Sequence, residues 1–445
     1  MGLNGESRKI GGISYIYRST LHTMRFFILS LLTFSLLSCQ QGGDAKRSAV
    51  SSLPKTTLSR EEVYDKVLGM LLGSAIGDAM GAPTEMWARE AIQLEYGFVN
   101  RLDSMVREPS AEGTWLYNLP AGGTTDDTRW KKLAIGFLLT QPSGQLEAGA
   151  FATHLVNEYE TYLKRLKTIQ SFDAAPYEAA MMRVAWLQEW ARVAKPYAEK
   201  NYPAYSDSLS RFYGGEMVCA GLLYAPAVGA FYPGNPVEAY RQMFKISLFD
   251  LGYARDISGL TAAMVAEAMR KKPSKTAIIN VASTIDPHSY FKSRLVGRTA
   301  YRILRDARFI VAEANRLQPK DIDLAKLPKR LSADTLYMAR MYKAFELLDA
   351  KNQDMPFHAG EIDLQVLTAL LFCDFDFEKT LAFLVNLGRD NDTTSAIAGG
   401  LLGAYWGANR LPEKMKKQIL TVNKVKLRTD LELLAKKMTD SIVAR

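Results

Sequence analysis

The chain has 445 residues, 48% of them hydrophobic and 23% charged, and carries a formal net charge of +9. Its basic residues are scattered among acids along polar helix faces, a balance that can draw in phosphates but excludes a dedicated nucleic-acid-binding protein. Its four histidines (His22, His154, His288 and His358) do not cluster, and no Cys/His metal-ligand spacing exists.

Met24-Arg25 opens an apolar run, Phe26 to Leu37, that ends at Leu36-Leu37-Ser38-Cys39. A basic start, a short hydrophobic stretch and a small residue before the cut describe a secretory signal, residues 1–38, too short to span a bilayer. The residues before Met24 read as an over-extended start, with translation expected to begin at Met24. A cysteine directly after Ser38 resembles a bacterial lipoprotein box, which implies cleavage before Cys39 and lipidation of its thiol. Residues 39–57 are rich in Gly, Ser, Lys and Thr without an apolar period and read as a flexible, lipidated tether. The expected location is therefore the bacterial envelope, lipid-anchored, on the periplasmic or outer face of the outer membrane. Loss of residues 1–38 removes Arg8, Lys9, Arg18, Arg25 and Glu6 and leaves a charge of +6.

Residues 58–445 exceed the usual size of one domain, yet long helical bundles can remain single. The pattern is all-α and predicts a compact multi-helix bundle. Ser59-Arg60-Glu61-Glu62 is a capping box, and the helix it opens runs toward Gly81 with Val63, Val67, Met70 and Leu71 at helical spacing. Leu146–Ala194 and Val237–Lys271 are further long helical patterns, punctuated by Tyr232-Pro233-Gly234-Asn235-Pro236 and Asp286-Pro287-His288. Leu317–Ala333 reads as a surface connection. Cys219 and Cys373 lie in apolar segments and are expected as buried free thiols.

Two acidic stretches dominate the chemistry: Thr124-Thr125-Asp126-Asp127-Thr128 and Gly388-Arg389-Asp390-Asn391-Asp392-Thr393-Thr394. Each precedes an apolar run that reads as a helix. One Asp or Thr at such a place is an ordinary N-cap. Capping needs one acid per helix, however, and like charges this close repel unless cations neutralise them. Oxygen-only ligands of this kind suit a hard divalent cation, and a carboxylate-rich cluster can hold two. A third segment, Gly77-Asp78-Ala79-Met80-Gly81-Ala82-Pro83-Thr84-Glu85, ends on one more acid.

Gly69, Gly73, Gly77 and Gly81 recur every four residues, as do Ser395, Gly399, Gly403 and Gly407. Residues four apart share a helix face, so each helix carries a stripe nearly bare of side chains. Glycine costs about 1 kcal/mol against alanine in a helix interior, so such runs imply close approach of two backbones. The rival membrane pairing is poor, because Glu61, Glu62, Asp65 and Asp78 sit on the first helix. The two helices are therefore expected to cross inside the bundle and to bring Glu85 near Asp390 and Asp392.

These three segments together resemble the ADP-ribosylglycohydrolase family, whose members share a Gly-Asp-Ala-x-Gly-x-x-x-Glu segment, a Thr/Ser-Asp-Asp-Thr segment and a Gly-x-Asp-x-Asp-Thr segment. The resemblance implies a Mg²⁺-dependent hydrolase with a central dinuclear site, in which Mn²⁺ can substitute. It implies Thr125, Asp126 and Asp127 as ligands of one ion, and Asp390, Asp392 and Thr393 as ligands of the other, with Asp392 bridging. It also implies Glu85 and Asp127 as catalytic. The family's substrate loop has an altered counterpart in Tyr213-Gly214-Gly215-Glu216-Met217-Val218, with Gly214, Gly215, Glu216 and Met217 expected to contact substrate. Valine replaces the family's arginine at position 218. A family histidine in the following helix has no clear match; Asp250, Tyr253 and Asp256 occupy that region.

The implied reaction is cleavage of a ribosyl C1 bond through an oxocarbenium-like state, with two metal ions gripping the ribose and activating water. The expected partner is a small-molecule or protein-linked ADP-ribosyl or ribosyl substrate. Three functions stay open: an ADP-ribosyl hydrolase, an exported nucleoside or riboside hydrolase on the same fold, and a non-catalytic ADP-ribose- or metal-binding lipoprotein. Trp115 and Tyr117 are either an adenine-stacking surface or, as is commoner for lone aromatics in a loop, ordinary packing.

Overall fold

Two backbones in near contact organise the molecule. In the computed structural model, which describes residues 55–105, 118–172, 174–328 and 334–445, the helix Arg60–Gly81 lies against the helix Asn391–Trp406 along both glycine stripes. A methyl group built at Gly69 would strike the Gly403 carbonyl, one at Gly73 the Gly399 carbonyl, and one at Gly77 the Ser395 carbonyl. At Gly81 it would meet the backbone of Asp392 itself. The stripes thus let the helices approach more closely than any side chain would permit, as the four-residue spacing predicts.

The first helix starts at the expected capping box. Glu62 Oε2 accepts from the Ser59 N–H at 2.8 Å, and Ser59 Oγ accepts from the Glu62 N–H at 3.2 Å. Val63, Val67, Met70 and Leu71 are all buried. With the two helices of the crossing included, the described residues form eighteen α-helices, with no strand among them. Helices Ala254–Ala268 and Ala359–Phe372 pack against Asn391–Trp406, while Leu431–Val443 packs against Arg60–Gly81. The glycine pair is therefore enclosed at the centre of an all-α bundle.

Two long helical patterns each prove to be a pair of helices. Leu146–Ala194 resolves into Ala148–Lys167 and Ala174–Ala198; Val237–Lys271 contains Pro236–Ile246 and Ala254–Ala268. The second break is hidden in the sequence because Leu248 and Phe249, in the turn, are as buried as the flanking helices. Asp250 holds that turn, its Oδ1 accepting from the Gly221 N–H at 2.7 Å. Pro236 occupies the first turn of its helix beside the Asn235 cap.

Cys219 and Cys373 are buried free thiols. Described residues of the Leu317–Ala333 connection carry only short 3₁₀ turns and are exposed or half-buried. The signal 1–38, Cys39, the tether up to residue 54, and Trp115 and Tyr117 lie outside the described residues. No described helix is long and apolar enough to cross a membrane.

Candidate active site

The crossing ends where the acids begin. Past Gly81 the chain makes a 3₁₀ turn, Ala82–Thr84, and reaches Glu85, directly beside the start of Asn391–Trp406. One backbone and one side-chain bond stitch the two segments together: the Met86 N–H donates to the Arg389 carbonyl at 2.7 Å, and Asn391 Nδ2 donates to Thr84 Oγ1 at 2.9 Å. Gly388 adopts φ 86°, and a Cβ there would collide with the Trp87 carbonyl, so this turn needs glycine. Arg389 is anchored outward by Glu361, at 2.7 Å, which leaves Asp390 facing in. As a result, oxygens of Glu85, Asp390 and Asp392 lie within 4.8 Å of one another.

The Thr125-Asp126-Asp127 segment completes the cluster. Thr125 caps helix Asp126–Leu138 by accepting from the Asp127 N–H, and its Oγ1 donates to Asp392 Oδ2 at 3.2 Å. Thr393 Oγ1 donates to Asp127 Oδ2 at 3.0 Å. The two acidic motifs thus interlock, each threonine donating to the other segment's aspartate. Asp126 is half-buried beside them.

Asp78, quoted in the sequence only as part of a segment, is what holds this second motif in place. It is fully buried, with Oδ1 accepting from the Thr125 N–H at 2.9 Å. Its Oδ2 accepts from Thr128 twice, from the N–H at 3.1 Å and from Oγ1 at 2.6 Å. A lone acid among the small and apolar residues of the glycine-striped helix, one residue after Gly77, is the signal that could have singled it out. Lys131 was also missed: it is buried, and its Nζ donates to Asp127 Oδ1 at 3.2 Å. Its i,i+4 spacing from Asp127 is readable, but such pairs usually lie on exposed faces.

The electrostatics follow from crowding. Burial first, then Asp392 and Glu85, push the Asp390 carboxyl well above the usual carboxylate range. Burial, then Asp127 and Asp392, raise Asp78 likewise against the bonds from Thr128 and Thr125. Asp126 is raised by burial and opposed by Arg129. Carboxylates held together at this cost are relieved by a divalent cation, which replaces repulsion with shared attraction.

The altered substrate loop borders this cluster. Tyr213, Gly214 and Gly215 run through positive φ (44°, 76° and 82°), and a Cβ at Gly215 would press on the Ser210 carbonyl. The loop is then pinned by backbone to a distant segment: Ala359 N–H donates to the Met217 carbonyl at 2.8 Å, and Cys219 N–H to the Phe357 carbonyl at 2.9 Å. Cys219 Sγ lies 4.0 Å from Asp390 Oδ2. Met217 is half-buried, whereas Gly214 and Glu216 lie on the exposed side. Val218 is buried, in a bridge with His358. Of the residues in the region of the family's missing histidine, Asp250 serves a backbone, Asp256 is buried on Arg298 at 2.7 Å, and Tyr253 meets the His358 ring edge-on. The buried histidine beside this loop is His358, whose Nδ1 accepts from the Gly360 N–H at 3.1 Å.

The described residues thus build an all-α bundle with interlocked acidic motifs at its central crossing. The sequence model described as ADP-ribosylglycohydrolase matches residues 59–445, and the chain belongs to that family of glycoside hydrolases. It is 21% identical over 375 residues to the uncharacterized protein YegU of Escherichia coli (strain K12), covering 84% of this chain and 97% of that one. It is 23% identical over 350 residues to the ADP-ribosyl-[dinitrogen reductase] glycohydrolase of Rhodospirillum rubrum, covering 79% and 88%. Among solved structures, a chain of an ADP-ribosylglycohydrolase-related protein complex superposes with a TM-score of 0.52 at 18% identity, over 86% of this chain and all of that one. The fold is shared, and the buried acidic cluster of this chain could hold the metal on which the family depends.

Proposed function

We propose that this protein is a Mg²⁺-dependent hydrolase that cleaves the C1 ribosyl bond of ADP-ribosylated substrates. The observation that carries the reading is the convergence of Glu85, Asp390 and Asp392 oxygens within 4.8 Å, interlocked with Thr125 and Asp127. The donor set fits the ion: hard oxygens only, from carboxylates and hydroxyls, with Asp390 burdened by its neighbours' charge. Asp390, Asp392 and Thr393, with Glu85 beside them, would hold one cation, and Thr125, Asp126 and Asp127 a second, Asp392 serving both. When bound, such a pair supplies Lewis acidity toward ribose hydroxyls and water. Glu85, at the end of its turn, passes a proton between the attacking water and the leaving group. Asp78 keeps the Thr125 backbone and Thr128 in register, so that Asp126 and Asp127 present their oxygens to the same space. Tyr213 to Met217 form the wall nearest the leaving group.

The Rhodospirillum rubrum relative is named for a protein-linked ADP-ribosyl substrate, which supports this reading over the others. A second reading, a nucleoside or riboside hydrolase, is favoured by Val218, because a buried valine in a backbone bridge offers no charge to an ADP-ribosyl adduct. We also propose export and lipid anchoring through Cys39, on the strength of the Leu36-Leu37-Ser38-Cys39 box; fatty-acid labelling that persists in Cys39→Ser would overturn it. The enzymatic reading is tested by assaying ADP-ribosyl-arginine, ADP-ribosyl-serine and nucleosides with the same preparation, before and after chelation. Release of ADP-ribose, lost on chelation and restored by Mg²⁺ or Mn²⁺ but poorly by Zn²⁺, is the expected result. Free ribose from nucleosides alone would favour the second reading, and turnover after exhaustive chelation would sink the metal mechanism.

A further inference from the structure

We propose that Lys131 is a built-in cation that makes the two metal positions unequal, so that the Thr125–Asp126–Asp127 position binds its ion much more weakly than the Asp390–Asp392–Thr393 position. The inference rests on the metal-dependent reading above and concerns how this chain departs from two equivalent positions.

Lys131 and Asp127 form an ion pair in which both side chains are only 1% exposed. The ammonium donates to the Asp127 carbonyl at 3.0 Å and to Asp127 Oδ1 at 3.2 Å, while Asp127 Oδ2 accepts from Thr393 Oγ1 at 3.0 Å. Both carboxylate oxygens of this expected ligand are therefore engaged by donors of the protein. An ammonium sealed this deeply has no path to water of the kind a surface lysine has, and leaving it buried without its partner is strongly disfavoured. A metal ion arriving at Asp127 must share Oδ1 with a fixed positive charge or turn the carboxylate away from it.

The two halves of the cluster differ accordingly. The charges acting most strongly on Asp390 are the carboxylates of Asp392, Glu85 and Asp127. Those acting on Asp126 include the cations Arg129 and Lys131 as well as Asp127. One half is crowded chiefly by carboxylates; the other brings its own partial neutralisation. A unit charge within a few ångströms of a divalent ion shifts its affinity by about tenfold or more even at an effective dielectric near 20.

Lys131 is on this argument a positioning residue that also sets ion affinity, and the two roles predict opposite signs. Loss of a merely structural support would weaken the second ion, whereas loss of a competing charge tightens it. The test is Mn²⁺ titration of the chelator-stripped full chain, followed by calorimetry and by electron paramagnetic resonance, which reports paired Mn²⁺ directly. The wild type should take up one ion tightly and a second much more weakly. Lys131→Met should tighten the second step by about tenfold or more, leaving the first unchanged, and Lys131→Arg should keep the wild-type difference. Lys131→Gln, which removes the charge but keeps a donor toward Asp127, covers the case in which the methionine variant does not fold. Two steps of equal affinity in the wild type, or a second step unchanged or weaker in a folded charge-removing variant, would overturn the inference. No Mn²⁺ uptake by the wild type would overturn the metal-dependent reading itself.

Discussion

The helix crossing and the substrate loop lie side by side, yet they are held by opposite means. At the crossing, Gly69, Gly73, Gly77, Gly399 and Gly403 put backbone against backbone, and there is no room for a methyl group. The loop from Tyr213 to Cys219 is tied down by backbone bonds to Phe357 and Ala359, while Gly214 and Glu216 are left exposed. Side-chain identity therefore matters at every stripe position of the crossing and at few positions of the loop. On the proposed function, the acids that would grip ribose gather at the rigid element, and the residues that would meet the leaving group sit on the permissive one. Such a division would let substrate choice change without disturbing the acids.

The sharpest way to break the comparison is at the crossing. Gly73→Leu or Gly403→Leu should destabilise the protein beyond the ~1–3 kcal/mol usual for overpacking, since backbone rather than a movable side chain is struck. Thermal or urea unfolding reads this, and melting unchanged in both variants would mean that the stripes do not bear on stability. Next come the acids gathered at the end of that crossing. Asp126→Asn and Asp392→Asn should each cut turnover by more than the ~10–100-fold typical of losing an outer-shell partner of a metal site. Glu85→Gln should lower turnover with most of the stability kept. Metal content measured alongside hydrolysis separates the two effects, and full activity in the double asparagine variant would return both motifs to helix capping.

A smaller effect is expected where Asp78 supports the second motif. Thr128→Val removes the 2.6 Å bond to a buried carboxylate and should cost ~1–3 kcal/mol, visible in denaturant unfolding. The smallest lies in the loop: Glu216→Ala should change stability by no more than ~0.5 kcal/mol, as surface substitutions do, while shifting relative rates between substrates. If Glu216→Ala unfolds the protein, or leaves every substrate's rate untouched, the contrast between a rigid grip and a permissive wall fails.

Much of the site was legible because its signals are local. The capping box at Ser59, the four-residue glycine period and the acids at two helix starts each depend on spacing within a few residues, and the structure places each accordingly. The inferred meeting of Glu85 with Asp390 and Asp392 needed one further step, the steric reason for two bare stripes, and it follows from the same period. The break at 247–253 was not legible, because Leu248 and Phe249 continue the apolar pattern through a turn held by Asp250 and Gly221.

Residue spacing along the chain was enough for the all-α class, the helices that must touch, and the oxygen-rich character of the site, because helical geometry converts spacing into a face. Which polar residues are removed from water was settled by packing. Asp78 could have been any helix carboxylate until burial made it the acceptor for Thr125 and Thr128. Lys131 has the spacing of an ordinary surface partner for Asp127, and its enclosure turns it into a charge the site cannot shed. His358 reaches the loop of Met217 and Val218 from a remote helix start, through a backbone bridge that leaves no trace in local pattern. Burial and long-range pairing belong to the packed whole, since the solvent a side chain loses depends on segments far away in the chain.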